Sequence, residues 1–309
     1  MKKVFIDGKA GTTGLRIAER LSLRDDIEII SLPEELRKSP EARREMLNRA
    51  DIVFLCLPDD AAREAVSMIT NDDVVVIDAS TAHRTCPDWA YGLPELGAEL
   101  EEKIKSSKRI AVPGCHASGF ITLVYPLVKA GILPEDALIT VHSLTGYSGG
   151  GKKMIAEYEA DEPNALLGAP RQYGIAQSHK HLPEMTKMTG LKNPPVFCPI
   201  VADFYSGMEV TVPLFASQLA YGGIEDIRAI YKELYNTPIV RYCDSSDEAG
   251  FLSAASMSGK DSMTVEVYGN DDRIILVARY DNLGKGASGA ALECMNIKLG
   301  ADKTSCLEI

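Results

Sequence analysis

Residues 4–21 read VFIDGKAGTTGLRIAERL, and the punctuation of this stretch decides the fold. The apolar run Val4–Ile6 stops at Asp7 and Gly8 and reads as a strand. Apolar residues at 15, 17, 18 and 21 then recur at helical spacing. Between strand and helix stand Gly8, Gly11 and Gly14, with Thr12 and Thr13 among them. Glycines there permit a tight turn and let a pyrophosphate approach the backbone at the helix N-terminus. The spacing is GxxGxxG, not the commoner GxGxxG, so the weight rests on the context, a strand before and a helix after. The two threonine hydroxyls add donors to the same loop.

Further along, IEIIS (27–31), DIVFLCLP (51–58), VVVIDAS (74–80) and RIAVPG (109–114) read as strands. EARREMLNRA (41–50), a charged exposed helix, and DAAREAVSMI (60–69) alternate with them. Apolar strands interleaved with helices predict a parallel sheet covered on both faces. After residue 120 the pattern changes. GFITLVYPLVKAG (119–131) reads as a helix, and then ALITVHSLTG, PVFCPIVADF, MEVTVPLFA, DSMTVEVYG and DRIILVARY form a strand-rich region. Their alternation and their Tyr and Thr content suit antiparallel strands with one covered face. The expected fold is α/β: a Rossmann-type doubly wound parallel sheet over 1–114, to which a C-terminal helix over 286–309 returns, and a mixed-sheet α/β domain over 115–285.

Composition sets outer bounds. The chain has 309 residues, 45% of them hydrophobic and 25% charged, enough for two cores. A net charge of -11 argues against nucleic acid, whose phosphates need a basic face, but not against a small anion. No apolar stretch reaches the ~18 residues of a membrane helix. The opening MKKVFIDGKA enters a strand at once, without the apolar run of a signal peptide. The seven scattered cysteines lack metal-ligand spacing. A soluble chain in a reducing, cytoplasmic compartment is expected, with neither membrane nor metal.

The cofactor is read at the end of the second strand. An NAD site commonly places a carboxylate there for the ribose 2'-hydroxyl. This strand ends at Ser31, and Arg37 and Lys38 follow in LPEELRKS. A hydroxyl with nearby cations suits a 2'-phosphate, hence NADP(H).

Cys115 follows Pro113–Gly114 and precedes a helix. A thiolate at a helix N-terminus is stabilised by the dipole and by unpaired N–H groups, which makes a nucleophile. Cys56, inside IVFLCLP, reads instead as a packing residue. A thiol nucleophile wants an acid-base partner. His179 and His181 stand together in the polar QSHKHLPEM, while His116 adjoins the cysteine and is read as pointing away from it. LTGYSGGGKK (144–153) is a glycine nest with Lys152 and Lys153. DASTAHR (78–84) sets Ser80, Thr81 and Arg84 at the carboxyl end of a strand.

These blocks, DGKAGTTG, DASTAHR, YGLPEL, PGC ahead of a helix, GYSGGGK, HKHLPEM and DNLGKGASGAA, run in order from residue 7 to 291. Together they resemble the N-acetyl-gamma-glutamyl-phosphate reductase family, in its shorter subfamily. The resemblance implies an aspartate-semialdehyde dehydrogenase-like fold and NADPH-dependent reduction of N-acetylglutamyl 5-phosphate to its semialdehyde, a step of arginine biosynthesis. It implies that Cys115 attacks the acyl phosphate, releases inorganic phosphate and forms a thioester. His179 becomes the acid-base group with His181 second. Arg84, Ser148 and Lys152 become ligands of the substrate's phosphate or carboxylate, and Asn282 the residue that approaches the nicotinamide. A homodimer or homotetramer built on the second sheet is implied too. The family commonly has Tyr-Pro-Thr or Tyr-Ala-Thr after the cysteine; here His116-Ala117-Ser118 stands there, which leaves open a related acyl phosphate such as the aminoadipate analogue of lysine synthesis. A nucleotide-sensing protein without catalysis is a further alternative, and a thiol protease, which would not need the glycine loop, a weaker one.

Overall fold

The computed structural model describes residues 1–37 and 39–309, which form two compact units. The first unit comprises Met1–Pro94, Ala98–Gly114 and Ala287–Leu307. Its strands are β1 (Lys2–Asp7), β2 (Ile27–Ile30), β3 (Ile52–Leu55), β4 (Val75–Asp78), β5 (Ala90–Tyr91) and β6 (Arg109–Ala111). They form one parallel sheet in the order β2-β1-β3-β4-β6-β5. Successive side chains of β1 go to opposite faces, as a pleated strand requires. Val4 and Ile6 join Ile17, Leu21, Phe54 and Ile77 in one core; Phe5 joins Val53, Leu47, Ala62 and Ala65 in the other.

The helices divide accordingly. α1 (Thr12–Leu21), α4 (Ala98–Ser106) and α9 (Gly289–Leu299) feed the first core; α2 (Pro40–Arg49) and α3 (Asp59–Met68) feed the second. This is the doubly wound arrangement that unbroken apolar strands predict. Two details differ from the sequence reading. α2 is not simply a solvated face: Met46 and Leu47 are buried, and Arg43 pairs with Asp7 at 2.9 Å and Glu64 at 3.1 Å. The edge strand β5 is too short to show a period. The strand order reverses at β1, where β2 and β3 lie to either side, so the glycine turn after β1 sits at the sheet's switch point.

The second unit comprises Glu95–Gly97, Cys115–Gly286 and Glu308–Ile309. Along the chain it runs α5 (Cys115–Lys129), β7 (Thr140–Gly146), α6 (Gly151–Tyr158), β8 (Arg171–Gln172), α7 (Leu182–Thr189), β9 (Val196–Ala202) and β10 (Met208–Phe215). It continues with α8 (Ile224–Leu234), β11 (Val240–Tyr242), β12 (Met263–Gly269) and β13 (Arg273–Tyr280). The seven strands are ordered β11-β12-β13-β10-β7-β9-β8. The sheet is mixed: β7–β9 and β11–β12 pair parallel, and the others antiparallel.

α5 is buried along almost its whole length, with Phe120, Ile121, Leu123, Val124 and Leu127 inaccessible. It carries Pro126, which has no N–H for the carbonyl four residues back. That carbonyl, of Thr122, accepts from the Tyr235 hydroxyl at 2.6 Å, and the next, of Leu123, accepts from Tyr231. Tyr235 thus satisfies the carbonyl the proline leaves open, and Tyr231 adds a second bond beside it.

Gly8 has φ +88, and a Cβ there would run into the Cys56 carbonyl. Gly8→Ala is expected to cost at least about 1–2 kcal/mol through the left-handed strain alone, seen as a lower midpoint in thermal unfolding. An unchanged midpoint would mean that the turn relaxes without harm.

Candidate active site

The first unit carries a cleft of about 410 Å³ at the carboxyl ends of β1 and β2, lined by Gly8, Lys9, Ala10, Ser31, Arg37 and Arg43 among others. Gly11 N–H donates to Gly8 C=O at 3.0 Å, and a Cβ on Gly14 would lie 2.6 Å from that carbonyl. Gly11 caps α1 without a side-chain hydrogen bond, so the N–H groups of Thr12, Thr13 and Gly14 form an uncapped helix start. Ser31 is exposed, no carboxylate ends β2, and among the described residues Arg37 pairs with the exposed Glu34 at 3.6 Å. This donor set fits a dinucleotide with a 2'-phosphate. Lys38 lies outside the described residues. Sequence reasoning missed Arg43, whose paired guanidinium lines the cleft; nothing in a charged helix marks one arginine among several.

In the second unit, the hydroxyl of Tyr280 donates to the Cys115 carbonyl at 2.5 Å and accepts from Gly119 N–H at 3.0 Å. A Cβ on Gly119 would fall 2.7 Å from that hydroxyl, so glycine is what admits the tyrosine. Cys115 is partly exposed at the start of α5. Cys56 contrasts with it, since burial and the charges of Asp78 and Asp7 push its thiol up to about 12.

The next residue, His116, is 3% exposed. Its Nδ1 lies 2.7 Å from Ser143 Oγ and its Nε2 2.6 Å from the Tyr173 hydroxyl. Its ring packs at 5.9 Å from His179 and 5.6 Å from His181. The paired histidines are therefore gathered around the residue that follows Cys115, with Phe197 and Tyr173 completing an aromatic enclosure around His179. Burial, then His179, drives His116 down to about 3; burial, then Lys180, lowers His179. Both rings are neutral at working pH. His179 Nδ1 accepts from His181 N–H at 3.2 Å, which puts its proton on Nε2.

Ser148 and Asn282 meet: Asn282 Nδ2 donates to Ser148 Oγ at 3.0 Å while its Oδ1 accepts from Gly207 N–H at 2.9 Å. Asn282 is 2% exposed, and its amide orients Ser148. Lys152 is exposed in the first turn of α6, whose cap, Gly150, has no side-chain bond. Arg84, read from the sequence as a substrate ligand, lies between the ends of two strands. It is 8% exposed, and it donates from Nε to Val112 C=O at 2.8 Å and from Nη2 to Ala79 C=O at 3.0 Å. These bonds tie the ends of β4 and β6 together, which is the work of a strut. Tyr173, Ser143 and Tyr280 were invisible to sequence reasoning because each is defined by a partner far along the chain.

The pH dependence of stability follows from His116. Its folded pKa lies below the unfolded value, so between about 6.5 and 3 the unfolded chain takes up a proton that the folded chain refuses. Stability must fall as pH drops through that window, by at most about 1.4 kcal/mol per unit from this group. Urea unfolding at pH 6.5, 5.5 and 4.5 is expected to give a flatter decline for His116→Gln than for wild type. Parallel declines would show that His116 takes up its proton in the fold.

The semialdehyde dehydrogenase NAD binding domain matches residues 23–105, and the semialdehyde dehydrogenase dimerisation domain matches residues 115–282. The chain is 46% identical over 308 residues to an N-acetyl-gamma-glutamyl-phosphate reductase of Sinorhizobium medicae, covering 97% of this chain and 99% of that one. It is 43% identical over 311 residues to N-acetyl-gamma-glutamyl-phosphate reductase 2 of a Nostoc species, with 96% and 97% covered. Among solved structures, aspartate semialdehyde dehydrogenase II of Vibrio cholerae complexed with ASA matches with a TM-score of 0.74 at 17% identity, over 97% of this chain and 98% of that one. Aspartate semialdehyde dehydrogenase of Candida albicans with NADP matches with a TM-score of 0.66 at 15% identity, over 97% and 99%. At such identities the structures speak for the fold alone.

Proposed function

The chain belongs to the N-acetyl-gamma-glutamyl-phosphate reductase family, and from that premise we propose that Cys115, at the start of α5, is the nucleophile of its reaction. The enzyme is an NADP-dependent acyl-phosphate reductase of arginine biosynthesis, converting N-acetyl-L-glutamyl 5-phosphate to the 5-semialdehyde. The observation that carries the residue assignment is the gathering of His179 and His181 around the residue next to Cys115.

The Cys115 thiolate adds to the acyl carbon. The bond from that carbon to the phosphate oxygen then breaks, the electron pair leaves with phosphate, and a thioester remains. The proton lost by the thiol is balanced by the one the departing phosphate takes up. NADPH, when bound, supplies hydride to the acyl carbon. The alkoxide so formed expels the Cys115 sulfur as thiolate and releases the aldehyde. His179 stands first as the acid-base group because it is partly exposed whereas His181 is 5% exposed, and its Nε2–H can donate to oxygen where charge gathers. Lys152 and Ser148, around the uncapped start of α6, are assigned to the substrate's phosphate or carboxylate. Gly8, Gly11, Thr12, Thr13 and Gly14 would hold the cofactor pyrophosphate, with Ser31 and Arg37 at the 2'-phosphate.

We place the enzyme in the cytoplasm as a homodimer or homotetramer. Among the described residues no helix is long and apolar enough to cross a membrane, and no disulfide occurs. The register of the second sheet sets Val196, Pro213, Phe215 and Ile275 on one face, with Phe215 61% and Val196 52% exposed. An apolar sheet face of this kind suits burial against a second copy.

Two measurements test these assignments. Given N-acetylglutamate 5-semialdehyde, NADP and phosphate, the protein is expected to make NADPH in a phosphate-dependent reaction, and Cys115→Ser to lose it by at least about three orders of magnitude. Turnover with a longer semialdehyde in place of this one would move the substrate assignment, and activity surviving in Cys115→Ser would remove the nucleophile. Phe215→Glu is expected to shift the protein towards monomer in sedimentation; an unaltered oligomer would clear that face of the interface.

A further inference from the structure

Of the three arginines on α2, Arg43 is the one that faces inward. It shares a helix face with Met46 and Leu47, three and four residues on, and both are buried in the core that holds Phe5 and Ala62. Arg44 and Arg49 are exposed. The Arg43 guanidinium meets the end of β1, where Nε and Nη2 both donate to Asp7 Oδ2, at 3.2 and 2.9 Å. On its other side Nη1 donates to Glu64 Oε2 of α3 at 3.1 Å. A guanidinium has five N–H groups, and these bonds use three of them. One N–H on each terminal nitrogen is left, on a side chain that lines the cleft beside Gly8, Ser31 and Arg37.

The two carboxylates on Arg43 are not equal. Asp7 is 7% exposed and directly precedes Gly8, so its charge would repel a pyrophosphate at the glycine turn unless a cation cancelled it. Taking Arg43 away from Asp7 would strand a charge out of water, which makes that bond an anchor. The Glu64 side chain is 55% exposed, and an ion pair that reaches into water contributes little. A phosphate monoester carries more charge than a carboxylate, and its oxygens match the fork of two terminal nitrogens. Nη1 can therefore exchange Glu64 for a phosphate while Nε and Nη2 stay on Asp7.

We propose that Arg43 is a further ligand of the cofactor's 2'-phosphate, anchored by Asp7, and that Glu64 is the carboxylate that competes with the phosphate for its outer nitrogen. Arg43 then gives the site its preference for the phosphorylated dinucleotide, and Glu64 moderates that preference. The exchange breaks no covalent bond, so it is read by binding alone.

Full-length protein is titrated with NADPH and with NADH, each followed by its nicotinamide fluorescence. The two ligands differ only in the 2'-phosphate, so a fault in folding or in the glycine turn weakens both alike. Arg43→Lys keeps a cation for Asp7 but has no fork. It is expected to weaken NADPH about tenfold and NADH by about twofold or less. Glu64→Gln is expected to tighten NADPH about threefold and to leave NADH unchanged. Asp7→Asn with Arg43→Gln strands no charge, and in that background the gain from Glu64→Gln should disappear. A gain that persists there, or no gain in Glu64→Gln alone, overturns the exchange. The inference rests on the reading of this cleft as the seat of the 2'-phosphate, and the outcomes separate the two. Equal binding of NADPH and NADH by the wild type removes that reading and the inference with it. A wild-type preference for NADPH that survives Arg43→Lys removes the inference alone.

Discussion

The hydroxyl of Tyr280 lies between the carbonyl of Cys115 and the N–H of Gly119, and the geometry of the second unit's site descends from that contact. Tyr280 ends β13, a strand paired on both sides in the seven-stranded sheet, and it is inaccessible to solvent. The first turn of α5 is therefore pinned to the most constrained strand available. Further along the helix, Tyr235 and Tyr231 hold the carbonyls of Thr122 and Leu123. Burial pushes all three phenols well up, so they stay protonated and can donate at any working pH. A nucleophile carried on a helix start must point the same way in each turnover, and fixed donors on rigid elements serve that need. Gly119 belongs to the same device, since any side chain there would evict Tyr280.

A second constraint lies in the turn after β13. The Asp281 carboxylate accepts from the N–H groups of Leu283 at 2.7 Å, Gly284 at 2.9 Å and Gly259 at 2.5 Å, and from Ser206 Oγ at 2.8 Å. Lys285, fully buried, reaches Glu95 Oε1 at 2.5 Å. Desolvating such a pair costs about as much as its attraction returns, so its value lies less in stability than in allowing one arrangement. That arrangement sets Gly286 where a Cβ would be 3.1 Å from the Cys115 Cβ. The turn thus packs against Cys115, and a side chain in place of Gly286 would push its neighbours by a few tenths of an ångström.

What the sequence disclosed and what it hid separate along one physical line. Local periodicity betrayed β1, β3 and β4, whose apolar runs are buried on both faces, and the glycine turn with α1 behind it. Pro113–Gly114 before a helix sufficed to single out Cys115. Partners distant in sequence stayed hidden: Tyr173 stands 57 residues from His116 and Tyr280 165 from Cys115. No pattern in YGIAQSHKH distinguishes Tyr173 from a surface loop residue. Arg84 shows the opposite case. An arginine beyond a strand end looks like a ligand-binding cation, and nothing local in the sequence shows that two backbone carbonyls accept from it. Short strands such as β5 and β8 have too few residues to carry an alternation at all.

The charge balance poses a problem that the helix ends resolve. A chain of net charge -11 repels a phosphorylated substrate and a phosphate-rich cofactor at long range. Helices α2, α3, α4, α7 and α8 carry an acidic residue in their first turn, which opposes the dipole and repels anions. α1, α5 and α6 carry none, and the caps of α1 and α6 are glycines without a side-chain bond. The first turn of α9 also lacks an acid, but it continues from the π-turn Gly284–Ser288 and has no open start. The glycine turn after β1, Cys115 and the glycine nest thus stand at helix starts without a first-turn acid. Acidity is spread over the other helices and withheld from the places where we propose that a phosphate or a thiolate sits. On those assignments attraction there is short-ranged, made of N–H groups and single cations such as Arg37 and Lys152. Affinity for the anions then depends on their seating in the site and not on the field of the whole chain.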